Sequence, residues 1–466
     1  MKQTTWFSRG AALLATAGLA SVFAPGADAT AVANPCTVVA FNSCYIGVDG
    51  TDTQTLSTGA GPYDFVGLGI NASEPGITPP PSPSGPVSGT LDVNAGGSIT
   101  LNYNPATIGA PTNRPLDNSV VLGVSSGSTG TLNVNGGSVN TPILFVGQAD
   151  NARPSTGTAT ISNGGVVTAT LDSSSSGPLP GFPAVNIGRG IGSSGTVTVT
   201  GTNSQLNAPN GHISIGREGA GTLNVLGGGA VTAASTSDPS KSTVYGSTAS
   251  TSGTTNILVD GVGSELTANQ VFLGVGLAAS TTPNFSSSNH GTGTLDVRNG
   301  GEVVANLFIG SGGTLQGNGT ITGNVVSTGS VAPGNSPGTL NIDGDFTQTG
   351  GELEIEIAGT SLYDIINVTG DALLNNVLIN FVFVNGFAPK AGDQFNFLQV
   401  PSGKSLTINS PTYAIAGLQP DFQYDVVNGN LIARSNGVPV PEPASLLLVG
   451  IGLLGLAPRM RRQLAA

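Results

Sequence analysis

Few residues in this chain have side chains that do chemistry, and their spacing limits what they can do. There are two histidines, His212 and His290. His212 precedes a short apolar stretch and His290 lies in a Ser/Gly/Asn loop, and neither has a serine and a carboxylate at a spacing that suggests nucleophilic catalysis. Gly334-Asn-Ser336-Pro337-Gly338 fits the pattern G-x-S-x-G. A nucleophile elbow, however, needs a helix after the serine and an N–H on the next residue to stabilise an oxyanion. Here the next residue is Pro337, which has no N–H, and a strand pattern follows. Gly274-Val-Gly276-Leu-Ala-Ala279 loosely matches a dinucleotide-binding turn, but no helix-forming stretch follows to present its N-terminus to phosphate. These residues assign no catalytic or cofactor-binding role.

The local carboxylate cluster is Asp343, Asp345, Glu352, Glu354 and Glu356. Period-2 alternation puts Glu352, Glu354 and Glu356 on one strand face and Leu353, Ile355 and Ile357 on the other. A solvated face accounts for that pattern. Calcium is the functional alternative, since it takes several carboxylate oxygens, although the spacing matches neither an EF-hand nor a Gly-rich calcium nonapeptide. Cys36 and Cys44, the two cysteines, stand eight residues apart, and in an oxidising compartment they are expected to form a local disulfide.

The elements that position these residues are short strands. The chain has 466 residues, 71 of them Gly, and charged residues make up only 9%. Gly, Ser, Thr, Asn and Val make poor helices and good strands and turns. An apolar content of 38% supports a core, so wholesale disorder is not expected. The net charge is −12, and no Lys/Arg cluster occurs between the terminal segments, which argues against a nucleic-acid partner. The single tryptophan, Trp6, lies in the N-terminal segment, so the body has no indole on which a sugar could stack.

A repeat organises that body. Opening strands align as Gly89-Thr-Leu-Asp-Val93, Gly130-Thr-Leu-Asn-Val134, Gly157-Thr-Ala-Thr-Ile161, Gly195-Thr-Val-Thr-Val199, Gly221-Thr-Leu-Asn-Val225 and Gly293-Thr-Leu-Asp-Val297, with Ile257-Leu258-Val259 a looser copy. Closing strands align through Gly123, Gly147, Gly188, Gly216, Gly274 and Gly310. Val139, Val167, Leu206, Val231, Leu266 and Val303 sit between the two sets. Three very short strands per unit cannot build a core alone, but stacked units bury a continuous apolar column. The expected fold is all-β, a right-handed parallel β-helix with a β-rich C-terminal cap. The expected organisation is a cap and Pro-rich linker over 30–87, β-helix repeats over 88–313, and a continued β-helix with a closing module over 314–434.

The two ends read as addresses. Residues 1–29 carry Lys2 and Arg9, then an apolar run, then Ala27-Asp28-Ala29, the pattern of a secretory signal peptide cut by signal peptidase between Ala29 and Thr30. Over 438–466, Pro441-Glu442-Pro443 precedes a short apolar helix (444–457) and the basic residues Arg459, Arg461 and Arg462. This segment resembles the PEP-CTERM sorting signal of Gram-negative bacteria. The resemblance implies recognition and processing by an exosortase and a transient inner-membrane anchor with the arginines cytoplasmic, an orientation that agrees with the positive-inside rule. The apolar run falls short of the ~20 residues of a permanent span.

The repeat unit resembles those of PEP-CTERM proteins and autotransporter passenger domains, through G-T-L-x-V, the Gly-Gly corner and the closing I-G. No run of ~10-residue amphipathic strands follows that could form an outer-membrane barrel. Together these resemblances imply a cell-surface or extracellular-matrix protein, structural or adhesin-like and in contact with exopolysaccharide. The alternatives are a polysaccharide-degrading β-helix enzyme and an inert spacer.

Overall fold

In Gly293-Thr-Leu-Asp-Val297 an extended backbone sends Leu295 and Val297 to one side and Thr294 and Asp296 to the other. In the computed structural model the strand Thr292–Arg298 follows this rule, burying Gly293, Leu295 and Val297 and leaving the alternate residues partly exposed. The structure describes residues 36–440, except 37, 41–42, 48–49, 70–86, 103–117, 124–126, 149–153, 174–181, 236–242, 249–250, 279–281, 286–287 and 335. The expected signal peptide with Ala29 and Thr30, the Pro-rich linker and the tail from Pro441 onward, with Glu442, Pro443, Arg459, Arg461 and Arg462, lie outside the described residues.

Among the described residues the chain is all-β, with parallel strands stacked as a β-helix. Opening strands form one sheet of 14 strands, and second and closing strands share another of 24. Parallel pairing in strict register places Leu91, Leu132, Ala159, Val197, Leu223, Ile257, Leu295, Leu315, Val331, Leu353 and Ile379 one above another. Each is buried. Fully burying a Leu, Ile or Val contributes about 1.5–3 kcal/mol, so this single column is a large part of what holds the coil.

Two expectations are corrected. The second and third strands are not always separate: Glu265–Leu273 and Glu302–Ile309 each run continuously through both positions, the first with a bulge between Thr267 and Gln270. The tightest copies have no insertion there and need no break. The stack also begins before residue 88, inside the stretch expected to be only a cap and linker, and it runs on through 314–416. Thr51–Leu56 already pairs in register with Ser88–Asn94, and Thr412–Ala416 is the last strand of the same sheet. Only Gln394–Asn396, Tyr424–Val427 and Asn430–Ala433 form a separate antiparallel sheet at the C-terminal end. It closes over Phe383, Phe387, Phe395 and Phe422, which meet mostly edge to face.

The first rung ends the Leu91 column with polar groups, while the Val93 column ends on buried Leu56. Asp52 stands where the next rung has Gly89 and Gln54 where it has Leu91, and Gln54 Nε2 donates to Asp52 Oδ1 (3.0 Å). Polar groups at inner positions of an end rung discourage a further rung from stacking. Beside them, Val38–Ala40 pairs antiparallel with Ser43–Ile46, and a disulfide joins Cys36 to Cys44.

One corner is held by a ladder of side-chain acceptors. The N–H of Asn324 donates to Asn306 Oδ1, that of Asp345 to Asn324 Oδ1, that of Asp371 to Asp345 Oδ1 and that of Ser405 to Asp371 Oδ1, at 2.8–3.0 Å. Asp345→Ala is expected to lower stability by about 1–2 kcal/mol, because it strands the Asp371 N–H at a solvent-exposed corner. Urea denaturation checks this, and an unchanged midpoint would show that water replaces the ladder.

Candidate functional site

The C-terminal end differs from the N-terminal one. On the last rung the inner positions are Leu406, Ile408, Tyr413 and Ile415, in register with Ala372, Leu374, Ile379 and Phe381. All four are only partly buried. Leu406, Ile408, Pro411, Tyr413, Val426 and Val427 line a groove there, and Val427 is 48% exposed. An apolar column therefore opens at this end where at the other it stops on Asp52 and Gln54.

The described chain finishes just past the last rung. Leu418 and Pro439 form an antiparallel bridge, with Gln419 N–H donating to Val438 O (2.8 Å) and Val440 N–H to Gly417 O (3.0 Å). The last described residues, Val438–Val440, are thus held against Gly417–Gln419, directly after the strand Thr412–Ala416.

Buried or crowded titratable groups lie farther up the coil. Asp364 is 2% exposed. Its Oδ1 accepts the Gly338 N–H (2.7 Å) and its Oδ2 the Glu356 N–H (2.9 Å), so it fastens the turn Pro333–Gly338 to the strand Glu352–Gly359. Burial, reinforced by the like charges of Glu356 and Glu354, raises its pKa to about 7, against the pull of the two N–H donors. Ser336 of the same turn has φ 57° and is followed by a cis Pro337; Gly338 N–H serves Asp364, so this segment is a fastened turn and not a nucleophile elbow. Glu352, Glu354 and Glu356 share one face of their strand, over buried Leu353, Ile355 and Ile357. Burial and its two neighbours raise the pKa of Glu354. Among the described residues no group of three or more His, Cys, Asp or Glu is placed to hold a metal ion.

His212 is buried. Its Nδ1 accepts the Thr243 N–H (3.2 Å), its own N–H donates to Ser173 Oγ (3.1 Å), and its ring meets Tyr245 edge-on at 5.1 Å. Burial lowers its pKa to about 4. Tyr245 continues into Phe272 and Phe308 on the outer side of the closing strands, with Phe285 against Phe308, so a second small core lies outside the coil. His290, by contrast, is only partly buried, with Nε2 3.0 Å from Ser311 Oγ.

Arg189 sits on the same outer side, its guanidinium 4.7 Å from the centre of the Phe182 ring and 5.7 Å from that of Phe145. Burial and the neighbouring Arg217 lower its pKa to about 10, while Glu218 opposes them. Aligning the closing strands through their glycines alone missed both clusters. The signal was present in Phe145, Tyr245, Phe272 and Phe308, large aromatics at positions an exposed face would fill with polar residues.

Residues 439–462 match a family model described as the PEP-CTERM protein-sorting motif. The match includes Pro441, Glu442, Pro443, Arg459, Arg461 and Arg462. A signal of this kind supports export by way of an exosortase-recognised C-terminus. No curated protein matches the chain. No helix among the described residues is long and apolar enough to cross a membrane. The sorting motif therefore starts within the antiparallel contact at the last rung, with Pro439 and Val440 inside both.

Proposed function

We propose that this chain is an exported structural or adhesin-like protein of the cell surface or extracellular matrix, without enzymatic activity and in contact with exopolysaccharide. The observation that carries the reading is a sorting motif attached to the end of a long, regular β-helix. Its repeats over 88–313 are of the kind found in autotransporter passengers and PEP-CTERM proteins. Signal peptidase acts at Ala29–Thr30, the tail holds the chain transiently in the inner membrane with its arginines cytoplasmic, and an exosortase then processes it. The outward rows of the opening strands suit a solvated scaffold: Asn133 donates to Asp92 (2.8 Å), Asn224 to Thr198 (3.3 Å), and Arg298 pairs with Asp260 (3.1 Å).

The test is cell fractionation with intact-mass measurement of the surface form. The expected surface form lacks the tail, and deletion of 439–462 is expected to abolish surface delivery. A surface protein that keeps its full tail would overturn the processing step. Binding of purified protein to the producer's exopolysaccharide separates an adhesin from a spacer. Shortening of the polymer during that incubation would overturn the non-catalytic reading.

A further inference from the structure

We propose that Arg189 and Arg217 form a subsite for one carboxylate of a sparsely charged polysaccharide, a uronate set among neutral sugars. The two arginines follow the closing glycines Gly188 and Gly216 of adjacent rungs. Ile187 is in register with Ile215, and the same register sets the arginines side by side, ~4.8 Å apart along the coil. Like charges at that spacing repel, and Arg217 helps to lower the pKa of Arg189.

The body leaves this pair short of acceptors. Among the described residues Arg189 has no ion pair, and its Nη1 is buried without a hydrogen-bond acceptor. Its guanidinium lies over Phe182 and Phe145, rings that hold it in place and accept no forked hydrogen bonds. Glu218 is the carboxylate beside the pair. Its Oε1 lies 3.8 Å from Arg217 Nε, too far for a hydrogen bond, and that Nε is also buried without an acceptor. Buried donors in this state are costly, and an incoming acceptor relieves the cost. Elsewhere in the coil arginines are committed, Arg298 to Asp260 and Asp296, and Arg434 to Asp425.

A carboxylate suits these groups because a guanidinium presents its N–H donors as a planar fork that matches two oxygens. The side chains of Arg217 and Glu218 are 39% and 40% exposed, so the approach lies past them, with the ligand's carboxylate taking the place of Glu218's. The charge of the chain narrows the ligand. At −12 it repels a polyanion, whether polyuronate or acidic peptide, whereas one carboxylate among neutral sugars meets little repulsion. The opening strands that follow this corner, Ser194–Thr200 and Ala220–Leu226, turn Ser194, Thr196, Thr198, Thr222 and Asn224 outward, all short and uncharged. They offer hydroxyl and amide partners to the neutral sugars. The arginine site rests on these contacts alone. That its carboxylate belongs to a polysaccharide rests on the function proposed above.

The experiment titrates the full chain, in detergent micelles, with a gellan oligosaccharide, whose repeat carries a single glucuronate among neutral sugars. The same oligosaccharide after reduction of its carboxylates is the control, and it is expected to bind roughly tenfold more weakly or worse. Arg189→Gln and Arg217→Gln are each expected to weaken binding of the native oligosaccharide by roughly tenfold. Glu218→Gln removes the internal competitor and is expected to tighten binding by about threefold, a gain that a merely structural role for these residues would not give. No binding of the native oligosaccharide, equal binding of the reduced one, or an unchanged affinity in all three variants would overturn the proposal. A glutamate-containing peptide of equal charge that binds as tightly would overturn it in favour of a protein partner. Binding of the producer's exopolysaccharide that survives both arginine substitutions would overturn this site and leave the proposed function standing. Gellan binding that is lost in those variants, with no binding of the producer's polymer, would uphold the site and overturn the contact with exopolysaccharide.

Discussion

Gly188→Ala is expected to destabilise the coil by about 3–5 kcal/mol, out of proportion to one added methyl group. Two independent costs combine. Gly188 has φ 69°, a left-handed conformation that costs an L-residue about 1–2 kcal/mol. A Cβ there would also lie 2.0 Å from the Ala220 carbonyl oxygen, on the backbone of the next rung, where no side chain can give way. The same collision recurs at Gly147 against Ser194 (2.1 Å) and at Gly216 against Thr254 (1.9 Å).

Facing them, the opening glycines are as tightly held: a Cβ on Gly195 would come 2.4 Å from the Gly188 N, and one on Gly221 2.3 Å from the Gly216 N. The two glycine columns interlock, so the coil is narrowest along this seam. Gly350→Ala separates the two costs, because Gly350 has φ 75° with nothing within 4 Å of an added Cβ. It is expected to lose only the backbone part, about 1–2 kcal/mol. Urea denaturation of both variants checks this; equal losses would show that the seam adapts. Because each rung contacts only its neighbours, limited proteolysis of Gly188→Ala is expected to cut first around residues 185–225.

One rung shows how the chain departs from this seam. Ser247 takes the closing glycine's place at φ 52°, and Thr255 the opening glycine's. Their hydroxyls lie 2.8 Å apart, Thr255 Oγ1 donates to Ile215 O (2.7 Å) and Ser247 Oγ to Thr292 O (2.8 Å). Gly246 stands where neighbouring rungs have Ile215 and Leu273, and a Cβ on it would come 3.0 Å from Thr255 Cγ2. The bulk gained at Thr255 is surrendered at Gly246. The sequence shows residues 254–260 only as a looser copy, because the exchange joins residues distant in the repeat and legible only once registers are known.

The column from Leu91 to Leu295 was readable because period-2 alternation, repeated, leaves one arrangement that buries every apolar residue. The end rungs were not, since Gln54 and Tyr413 break the pattern that identifies a rung. Of the site, the motif at the tail was plain in Pro441-Glu442-Pro443. The buried charges were not, since His212, Asp364 and Arg189 depend on what covers them.

Those buried charges give the second large effect, a pair of opposed pH dependences. The unfolded-chain value for Asp364 is 3.8 and its folded value about 7. Between these the native state holds a proton that the unfolded chain has released, so this group's contribution to stability falls as pH rises from about 4 to 7 and is level above. The full span is at most about 4 kcal/mol. His212 runs the other way. Its folded value is about 4 against 6.5 unfolded, so between these the unfolded chain binds the extra proton and stability rises with pH, by at most about 3 kcal/mol. In the wild type the two slopes largely offset one another between pH 4 and 6.5.

Asp364→Asn is expected to be most damaging at pH 4. There the wild-type side chain is protonated at no cost, while the amide turns an NH2 toward either the Gly338 or the Glu356 N–H. Its penalty is expected to shrink as pH rises to 7.5. His212→Gln is expected to show the reverse, a penalty that grows from pH 4 to 6.5. Urea midpoints at half-unit pH steps for wild type and both variants decide it. A wild-type-minus-variant difference that stays constant across pH 4–7 for either residue would mean that water reaches that side chain in the folded coil, and that its burial is not what sets its charge.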